Sequence, residues 1–495
     1  MITIKRFFFA IFTLSLTLWS VGYAEAAPSA RNLIDRSAEA LGGRDVIEAL
    51  SDVRLTVIGS GISPSATQAR SPSATHNVTQ QERSYLIDTR GQRARRESSQ
   101  ISPGQIRFHT LAIATPDGAR TVDLLMWRSG TDIQNQPATV GKEAFAAWAR
   151  LLPHTALKQA LGSAATLQLA ADVERDGRTL DAVTFDDPVG TKVTLLLEKE
   201  SGVVFSASPG EFAGSAYEFG DYKLQNGVLE PQRLTVRSTQ LLEELRYSAI
   251  DLRYPARDGD FMIPSGYTDP PPLGDPRAVK VAPTIYRLDG MPANYHSAFI
   301  VDGTEVTVFD APQSVEWSEK VLAVIRGVVG ENAHVVRVLI SHHHGDHTNG
   351  LSMYVANGAT IVCGAGTAEF LRSRLPEAQR ATAKFEEVAE SKSFGKGASR
   401  IEAHAVPNEH ADGMLVFYLP AAKILLQGDL FYVPERGAVP PAFPVTADLE
   451  RVLVMKKLNV QTIIGIHGRQ STISELRRSL DLRSSPPATI DLKGG

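Results

Sequence analysis

The stretch Ser341-His342-His343-His344-Gly345-Asp346-His347 is the most informative part of the sequence. It follows directly on Val335–Ile340, an apolar segment whose length and composition predict a buried strand. Histidine is concentrated in this half of the chain, because nine of the twelve histidines lie between His296 and His467. Neutral imidazole and carboxylate are suitable ligands for a borderline divalent ion such as zinc. The sequence therefore predicts a metal site at the end of a strand.

The spacing within this stretch suits two metal ions. Side chains two residues apart in extended chain point the same way, so His342 and His344 can bind one ion together. Asp346 and His347 are adjacent and would diverge in a strand, but Gly345 allows the backbone to turn before them. Both can then face a second ion, about 3.5–4 Å from the first.

Three further segments supply residues of the same types in a fixed order. They are Asn408-Glu409-His410-Ala411-Asp412-Gly413, Gln427-Gly428-Asp429-Leu430, and His467 at the end of the predicted strand Thr462–Ile466. Together with the His-x-His-x-Asp-His run, this order resembles the metal-binding motifs of the metallo-β-lactamase-fold hydrolases over about residues 280 to 480. The resemblance implies an α/β fold, an αββα sandwich of the metallo-β-lactamase type.

The resemblance also implies a set of metal ligands, divided between two ions and joined by one bridging carboxylate. Those of the first ion are His342, His344 and His410, those of the second are Asp346, His347 and His467, and the bridge is Asp429. Asp346 and Asp429 are also the implied catalytic residues. Asp310 matches the first aspartate of the family, which orients the ligand loops by hydrogen bonding.

Two histidines compete for the third ligand position of the first ion. His404 lies within the predicted strand Ile401–Val406, whereas His410 lies in a glycine-containing loop before the next predicted strand. We favour His410. We interpret His343 as a residue that supports the ligands or lies at the mouth of the site, and His296 as a packing histidine.

A two-zinc site of this kind defines the reaction class. Zinc lowers the pKa of bound water to about 7, which makes a metal-bridging hydroxide available as nucleophile, and the second ion can stabilise an oxyanion. Neither a G-x-S-x-G elbow nor a phosphate-binding Gly-rich loop occurs in the sequence. We therefore expect a zinc-dependent hydrolase of a small-molecule ester, thioester or lactone, with iron or manganese still open as the metal.

Two alternatives remain. The histidine and aspartate set is compatible with β-lactam hydrolysis by the same fold, although Asp429 is more similar to its thioesterases, lactonases and other ester hydrolases. The other alternative is a periplasmic binding or carrier protein, whose amino-terminal sheet holds an apolar ligand and whose metal is structural. Structural zinc usually has four ligands rather than seven, which favours catalysis. A redox role is disfavoured, because the diiron branch of the family has glutamate where this chain has His344.

Three features near the motifs have open or structural interpretations. Tyr432 could donate a hydrogen bond to a substrate oxygen, or serve as an amphipathic aromatic residue where two domains meet. The segment Pro434–Pro444 predicts a loop beside the metal cleft that shapes substrate choice. Cys363 lies in an apolar strand and is predicted to be a buried core residue.

Residues 27–263 have a different pattern. Helical segments at Ala30–Leu41 and Arg44–Leu50 precede a series of strand patterns separated by turn signals, with one further helix over residues 143–161 that is interrupted at Pro153. We predict an antiparallel-sheet α+β domain. Its strand rhythm and opening helix weakly resemble the open half-barrel of periplasmic lipoprotein-carrier domains.

A proline-rich stretch, residues 264–283, separates the two halves and predicts a stiff, extended linker. Strands and helices then alternate, including a predicted helix at Val315–Val329. Residues 284–495 are therefore predicted to form the hydrolase domain.

Residues 1–26 have the pattern of a secretory signal. Lys5 and Arg6 precede the apolar run Phe7–Val21, and the small residues that follow predict cleavage after Ala26. We expect a secreted or periplasmic protein without a membrane span after cleavage. A single cysteine excludes stabilisation by disulfides within the chain.

The overall charge is nearly balanced, with 51 basic and 55 acidic residues. This balance gives no support to a nucleic-acid partner. One short basic cluster, Arg93-Ala94-Arg95-Arg96, is predicted to lie on a solvated face. The oligomeric state stays open.

Overall fold

The computed structural model describes residues 29–484 except 128, 211–215, 272–273 and 292–294. The predicted signal sequence, residues 1–26, therefore lies outside the described part of the chain. Among the described helices, none has both the length and the apolar character needed to cross a membrane.

The amino-terminal domain is built on one large antiparallel sheet, which confirms the predicted sheet type. The strands of this domain are β1 (Asp52–Ser63), β2 (Asn77–Asp88), β3 (Arg93–Ser102), β4 (Ile106–Thr115), β5 (Gly118–Asp123), β6 (Gln134–Gln136), β7 (Gln168–Arg175), β8 (Arg178–Asp186), β9 (Lys192–Glu198), β10 (Val204–Pro209), β11 (Ala216–Gly220), β12 (Lys223–Gln225), β13 (Val228–Glu230), β14 (Arg233–Arg237) and β15 (Leu242–Asp251). Within the described residues the large sheet has the order β6-β5-β4-β3-β2-β1-β15-β14-β11-β10-β9-β8-β7, and β12 pairs only with β13. Residues 176–177 and 226–227, which join β7 to β8 and β12 to β13, have the positive φ angles of tight hairpin turns.

Four helices cover part of one face of this sheet. They are α1 (Ala30–Ala40), α2 (Arg44–Ala49), α3 (Ala138–Ala149) and α4 (Pro153–Gly162). The first two confirm the predicted helices, and the third predicted helix is divided because Pro153 begins α4. Leu33 and Leu157 on the helices and Leu195 on the sheet belong to one buried apolar core. The apolar part of this face is therefore filled by the protein itself.

The segment predicted as a linker, residues 264–283, is partly a strand. Arg277–Ala282 forms β16, which pairs with Ile285–Asp289, β17, at one edge of the carboxy-terminal sheet system. Pro276 and Pro283 directly flank β16. Proline lacks a donor for sheet hydrogen bonding, which explains why it marks the strand ends, and why its frequency here suggested extended linker throughout.

The carboxy-terminal domain contains two sheets. Their remaining strands are β18 (Ser297–Asp302), β19 (Glu305–Phe309), β20 (His334–Leu339), β21 (Thr360–Gly364), β22 (Lys384–Val388), β23 (Ser391–Phe394), β24 (Ile401–Ala405), β25 (Leu415–Leu419), β26 (Ile424–Gln427), β27 (Thr462–Gly465) and β28 (Ser471–Thr472). One sheet has the order β16 to β22 and the other β23 to β28. The pairs β19/β20 and β26/β27 are parallel, so the carboxyl ends of each pair lie at one edge.

Three apolar cores hold these sheets and their helices together. The helices are α5 (Val315–Val329), α6 (Gly345–Thr348), α7 (Leu351–Ala356), α8 (Ala368–Ser373), α9 (Glu377–Arg380), α10 (Pro444–Met455) and α11 (Ile473–Ser484). Phe309 of one sheet and Phe417 of the other are buried in the core between the sheets. Residues of α5 and α7 pack on the first sheet, and residues of α10 and α11 on the second. Helix α5 confirms the predicted helix, and Cys363 is buried in the core as predicted.

Candidate metal centre

The candidate site forms where several strands end. Asp310 directly follows β19. Ser341, Asp429 and His467 are each the second residue after a strand, namely β20, β26 and β27. Because loops at the carboxyl ends of parallel strands converge, residues far apart in sequence meet at this edge. Gly428 is required for the close approach, since a Cβ atom there would lie 2.5 Å from Ser341 Oγ.

One group of side chains matches the first predicted ligand set. It consists of His342, His344, His410 and Asp429, whose potential ligand atoms all lie within 4.8 Å of one another. Oδ2 of Asp429 is 3.3 Å from Nε2 of His410 and 3.9 Å from Nε2 of His342. His342, His344 and His410 are almost fully shielded from solvent, whereas the side chain of Asp429 is 18% exposed.

A second group matches the other predicted set and shares Asp429. Its members are Asp346, His347, Asp429 and His467, again within 4.8 Å. Here Oδ1 of Asp429 is the nearest oxygen, at 3.1 Å from Nε2 of His347 and 3.3 Å from Nε2 of His467. Each oxygen of Asp429 thus faces a different group, as a bridging carboxylate requires. The structure brings all seven predicted side chains together.

The donor atoms have the character of metal ligands. Five buried atoms in the two groups have no hydrogen-bond partner of good geometry among the described residues: His342 Nε2, His344 Nδ1, His347 Nε2, His410 Nε2 and Asp429 Oδ1. Leaving so many buried polar atoms unpaired would be costly unless something binds them. Imidazole nitrogens and carboxylate oxygens around two adjacent positions fit divalent ions of the zinc type.

Asp310 fixes one of the histidines. It is fully buried and accepts hydrogen bonds from Ser341 N and Ser341 Oγ, both at 2.7 Å, and from His347 Nδ1 at 2.9 Å. The last contact places the proton of His347 on Nδ1 and leaves Nε2 to face Asp429. Asp310 has a positive φ of 51°, a conformation that aspartate tolerates better than most residues. This is the supporting arrangement predicted for Asp310.

The amino-terminal domain contributes contacts that the sequence did not reveal. The loop between β1 and β2 reaches the metal cluster, where Gln68 Nε2 donates to Asp346 Oδ1 at 2.8 Å. The carbonyl oxygen of Ala69 lies 3.0 Å from Nε2 of both His343 and His344. For His344 this contact holds a proton on Nε2 and leaves Nδ1 unprotonated, with a lone pair that can bind a metal ion. No motif marks this loop, so sequence reasoning had no signal for it.

The same loop and the turn between β3 and β4 hold the loop of His410. Arg70 pairs with Glu409 and with Asp412, whose backbone N–H donates to Arg70 O at 2.8 Å. On the other side, a Cβ atom at Gly104 would come within 3.1 Å of the His410 backbone. Gly104 also has a φ of 78°, so both its conformation and its packing favour glycine.

Burial and charge set the protonation of the cluster. Burial lowers the pKa of His342 and of His344 well below the usual range, so both imidazoles are neutral and able to bind metal. Burial opposes charge on His347 as well, but Asp429 and Asp346 outweigh it and raise its pKa. Burial would raise the pKa of Asp429, yet the neighbouring His347 and His467 hold it well below its usual value. A divalent ion bound to Nε2 of His347 would therefore displace a proton from it.

The remaining histidines separate clearly. His404 lies on β24 with Glu402 as its charged neighbour and belongs to neither ligand group. His343 is fully buried against Phe370 and Ala69, and burial lowers its pKa to about 4. His343 therefore packs against the neighbouring loop and does not line the cavity described below.

His296 packs as predicted but also carries ionic contacts. Its Nε2 lies 2.7 Å from Oε1 of Glu435, and its Nδ1 lies 3.3 Å from Oδ1 of Asp289. Glu435 belongs to the predicted loop 434–444, of which residues 434–443 contain no helix or strand. The next residue, Arg436, pairs with Asp132 of the amino-terminal domain. The loop is thus attached on both sides.

A cavity of about 1150 Å³ extends from the metal cluster to the amino-terminal sheet. At one end it is lined by His344, Asp346, His410, Asp429 and His467, and at the other by residues of β2 to β6. Tyr432 lines it too, with its ring 5.6 Å from that of His467. The site therefore lies between the two domains.

The solvated-face prediction for Arg93-Ala94-Arg95-Arg96 is wrong for Arg96, which lines this cavity. Successive side chains of a strand point to opposite faces, so β3 places Arg95 and Arg96 on different sides of the sheet. Arg95 pairs with Glu97, whereas Arg96 lies over the ring of Trp148 at 4.9 Å.

Comparison with known proteins gives one family. Residues 291–467 match the family model of the metallo-beta-lactamase superfamily. No curated protein matches the chain. Among solved structures, the metallo-beta-lactamase DIM-1 is 18% identical, with a TM-score of 0.35, over 43% of this chain and 99% of its own. A metallo-beta-lactamase from Pontibacter korlensis is 17% identical, with a TM-score of 0.35, over 43% and 100%. The Flv1 flavodiiron core from Synechocystis sp. PCC6803 is 14% identical, with a TM-score of 0.36, over 43% and 62%.

Proposed function

Residues 291–467 belong to the metallo-beta-lactamase superfamily, and we propose on this basis that the protein is an exported, zinc-dependent hydrolase of an ester, thioester or lactone. The single observation that carries the proposal is Asp429, whose two carboxylate oxygens face two separate groups of histidines. The proposal includes the helix–sheet–sheet–helix layering of the carboxy-terminal domain and the removal of residues 1–26.

The side chains would hold two ions in the arrangement expected from the sequence. His342, His344 and His410 would bind one, and Asp346, His347 and His467 the other, with Asp429 shared. Bound divalent ions supply a nucleophile from water near neutral pH and polarise the substrate carbonyl. The residues of the chain hold this arrangement ready: Asp310 orients His347, Ala69 orients His344, and Gln68 and Tyr295 each donate to one oxygen of Asp346.

The cavity next to the cluster is where a substrate would bind. It is lined by the exposed edges of both ligand groups, so a carbonyl carbon can approach Asp429 and His467 from one side. We propose that the hydroxyl group of Tyr432, at the same wall, contacts a substrate oxygen. Loop 434–443 is attached to His296 and Asp132, and it forms a preorganised wall rather than a free segment.

The alternative of an apolar-ligand carrier has less support. The apolar core on the amino-terminal sheet face is filled by α1 to α4, and the part of the sheet that lines the cavity mixes the apolar Ile106, Phe108 and Val122 with Arg, Ser, Gln and Thr side chains. This mixed lining suits an amphipathic ligand better than a purely apolar one. β-Lactam hydrolysis stays an alternative because the same cluster could attack a lactam carbonyl.

The proposal is tested by metal content and turnover of the mature protein. Plasma mass spectrometry should find about two zinc ions per chain, and a panel of a small ester, thioester, lactone and cephalosporin should include a substrate whose turnover a chelator abolishes. Asp429→Ala should lose this turnover while the circular dichroism spectrum stays unchanged. Glu402→Ala, beside His404 and outside both ligand groups, is the matched control. Unchanged turnover in Asp429→Ala, or metal without turnover of any panel member, would reject the hydrolase.

A further inference from the structure

The wall of the cavity opposite the metal cluster carries a positive charge that the protein does not neutralise by direct pairing. Arg83 and Arg96 lie on adjacent strands and both line the cavity. Arg83 makes two hydrogen bonds to Glu243, at 2.8 and 2.5 Å, so its charge is paired. Arg96 has no ion pair in the described part of the chain, and its Nε is buried without a hydrogen-bond partner.

The surroundings of Arg96 leave its guanidinium group available to bind a ligand. Its Cζ lies over the Trp148 ring, 4.9 Å from the ring centroid, a cation–π contact that leaves Nε without a hydrogen-bond partner among the described residues. Burial lowers the pKa of Arg96 and the nearby Arg83 adds to this effect, whereas Tyr85 and Glu243 act against it, and an arginine remains charged near pH 7. A charged group with unsatisfied donors in a cavity wall binds an oxyanion favourably.

The acidic residues of the same wall do not cancel this charge. Asp132 is paired with Arg436, and Asp123 accepts a hydrogen bond from the backbone N–H of Leu125 at 3.0 Å. Asp123 lies on β5, two strands away from Arg96 on β3.

The strand that carries Arg96 leads directly to the metal cluster. Along β3, Ser98, Gln100 and Ser102 follow on the same face and line the cavity, and Pro103 comes next to His410. The seven residue steps from Arg96 to Pro103 correspond to about 23 Å of extended chain. A ligand that spans the cavity is therefore elongated and meets hydroxyl and amide groups along its length.

We propose that Arg96 is a specificity residue that binds an anionic group of the substrate remote from the bond that is cleaved. The substrate class is then an elongated, polar ester, thioester or lactone that carries a carboxylate or phosphate group. That the bound anion belongs to a substrate rests on the proposed function, whereas the anion site itself does not. The geometry gives the amino-terminal domain the role of selecting the substrate.

Equilibrium binding tests the site without turnover. The zinc-loaded protein is titrated in a calorimeter with glutaramate, with glycerol 1-phosphate and with neutral glutaramide. At least one anion should bind more tightly than glutaramide, and Arg96→Gln should weaken that anion by about ten- to hundredfold, the effect of losing a charged hydrogen bond. The better of the two anions identifies the class of group. Glutaramide binding should not change.

Arg95→Gln is the matched control, because Arg95 is the neighbouring residue on the opposite face of β3 and pairs with Glu97. It should leave anion binding unchanged. If Arg96→Gln does not fold, Arg96→Met keeps an unbranched apolar stem in place of the arginine stem and removes the charge. The proposal is overturned if no anion is preferred by the native protein, or if the charge-free variant binds the preferred anion as tightly, which would place the anion on the zinc ions. If the native protein turns over no member of the panel but still binds the preferred anion through Arg96, the hydrolase is rejected and the anion site stands.

Discussion

Gln68 of the amino-terminal domain donates a hydrogen bond of 2.8 Å to Oδ1 of Asp346, a residue of the candidate metal cluster in the other domain. The two residues are 278 positions apart in the chain. Tyr295 donates to the second oxygen of the same carboxylate at 3.0 Å. Residues of both domains therefore orient Asp346, and the amino-terminal domain forms part of the site.

Gln68→Ala should weaken the metal position that contains Asp346. Residues that orient metal ligands typically contribute about 10- to 100-fold to metal affinity. We expect a loss of this size for one of two zinc ions, measured by competition with a chromophoric chelator. The exposed Gln240 provides the control, since Gln240→Ala should leave both affinities unchanged. Equal affinities in Gln68→Ala and the native protein would show that Tyr295 orients Asp346 alone.

His410 and His404 can be distinguished by counting metal. His410 lies in the group with His342 and Asp429, whereas His404 lies on β24 beside Glu402. His410→Ala should reduce bound zinc from about two ions toward one per chain, and His404→Ala should not. Equilibrium dialysis followed by plasma mass spectrometry gives the stoichiometry. The ligand assignment is wrong if the two variants exchange these results.

Asp310→Ala should affect both stability and metal binding. The substitution leaves the buried donors of Ser341 and His347 without their acceptor, and each unsatisfied donor costs about 1–3 kcal/mol. We expect a loss of about 3 kcal/mol in the free energy of unfolding, measured by urea denaturation, together with weaker binding of the ion near His347. Asp310→Asn keeps an acceptor and tolerates the positive φ, so it should recover most of the stability. Similar losses in both variants would mean that charge, rather than hydrogen bonding, is what His347 requires.

Much of the carboxy-terminal domain could be predicted because its signals are local. The buried strands around His342 and Asp429 are short apolar runs, and a polar residue at each strand end marks one common edge. Helix α5 was recognisable from its periodicity alone. The choice of His410 over His404 followed from the same reasoning, because a loop after a strand can reach the edge and a mid-strand residue cannot.

The contributions of the amino-terminal domain could not be predicted because they depend on long-range contacts. Nothing local distinguishes Gln68 or Ala69 from other loop residues, and their partners lie in the other domain. Arg96 was misplaced because a run of arginines suggests solvent, while the alternation of a strand sends one of them inward. The strand β16 was hidden by its proline-rich surroundings.

His296 should make the stability of the protein depend on pH. Burial opposes its positive charge, but hydrogen bonds to Asp289 and Glu435 outweigh burial and raise the pKa of His296. A raised pKa in the folded state stabilises the protein fully below the unfolded value of about 6.5, and this contribution is lost as the pH rises through the folded value. Burial would raise the pKa of Asp289, but hydrogen bonds from His296 and Arg287 lower it to about 2, so its contribution stays constant above about pH 4.

The measurement is the difference in free energy of unfolding between the native protein and His296→Gln, taken by urea denaturation from pH 5 to pH 9 at constant zinc. The native protein should be the more stable at pH 5 to 6, and the difference should shrink as the pH rises, because only the native protein loses a charged imidazole. Glu435→Gln removes one of the two carboxylates that face His296 and should make the pH dependence shallower. A difference that stays flat over this range would mean that His296 is neutral in the folded protein and acts through packing alone.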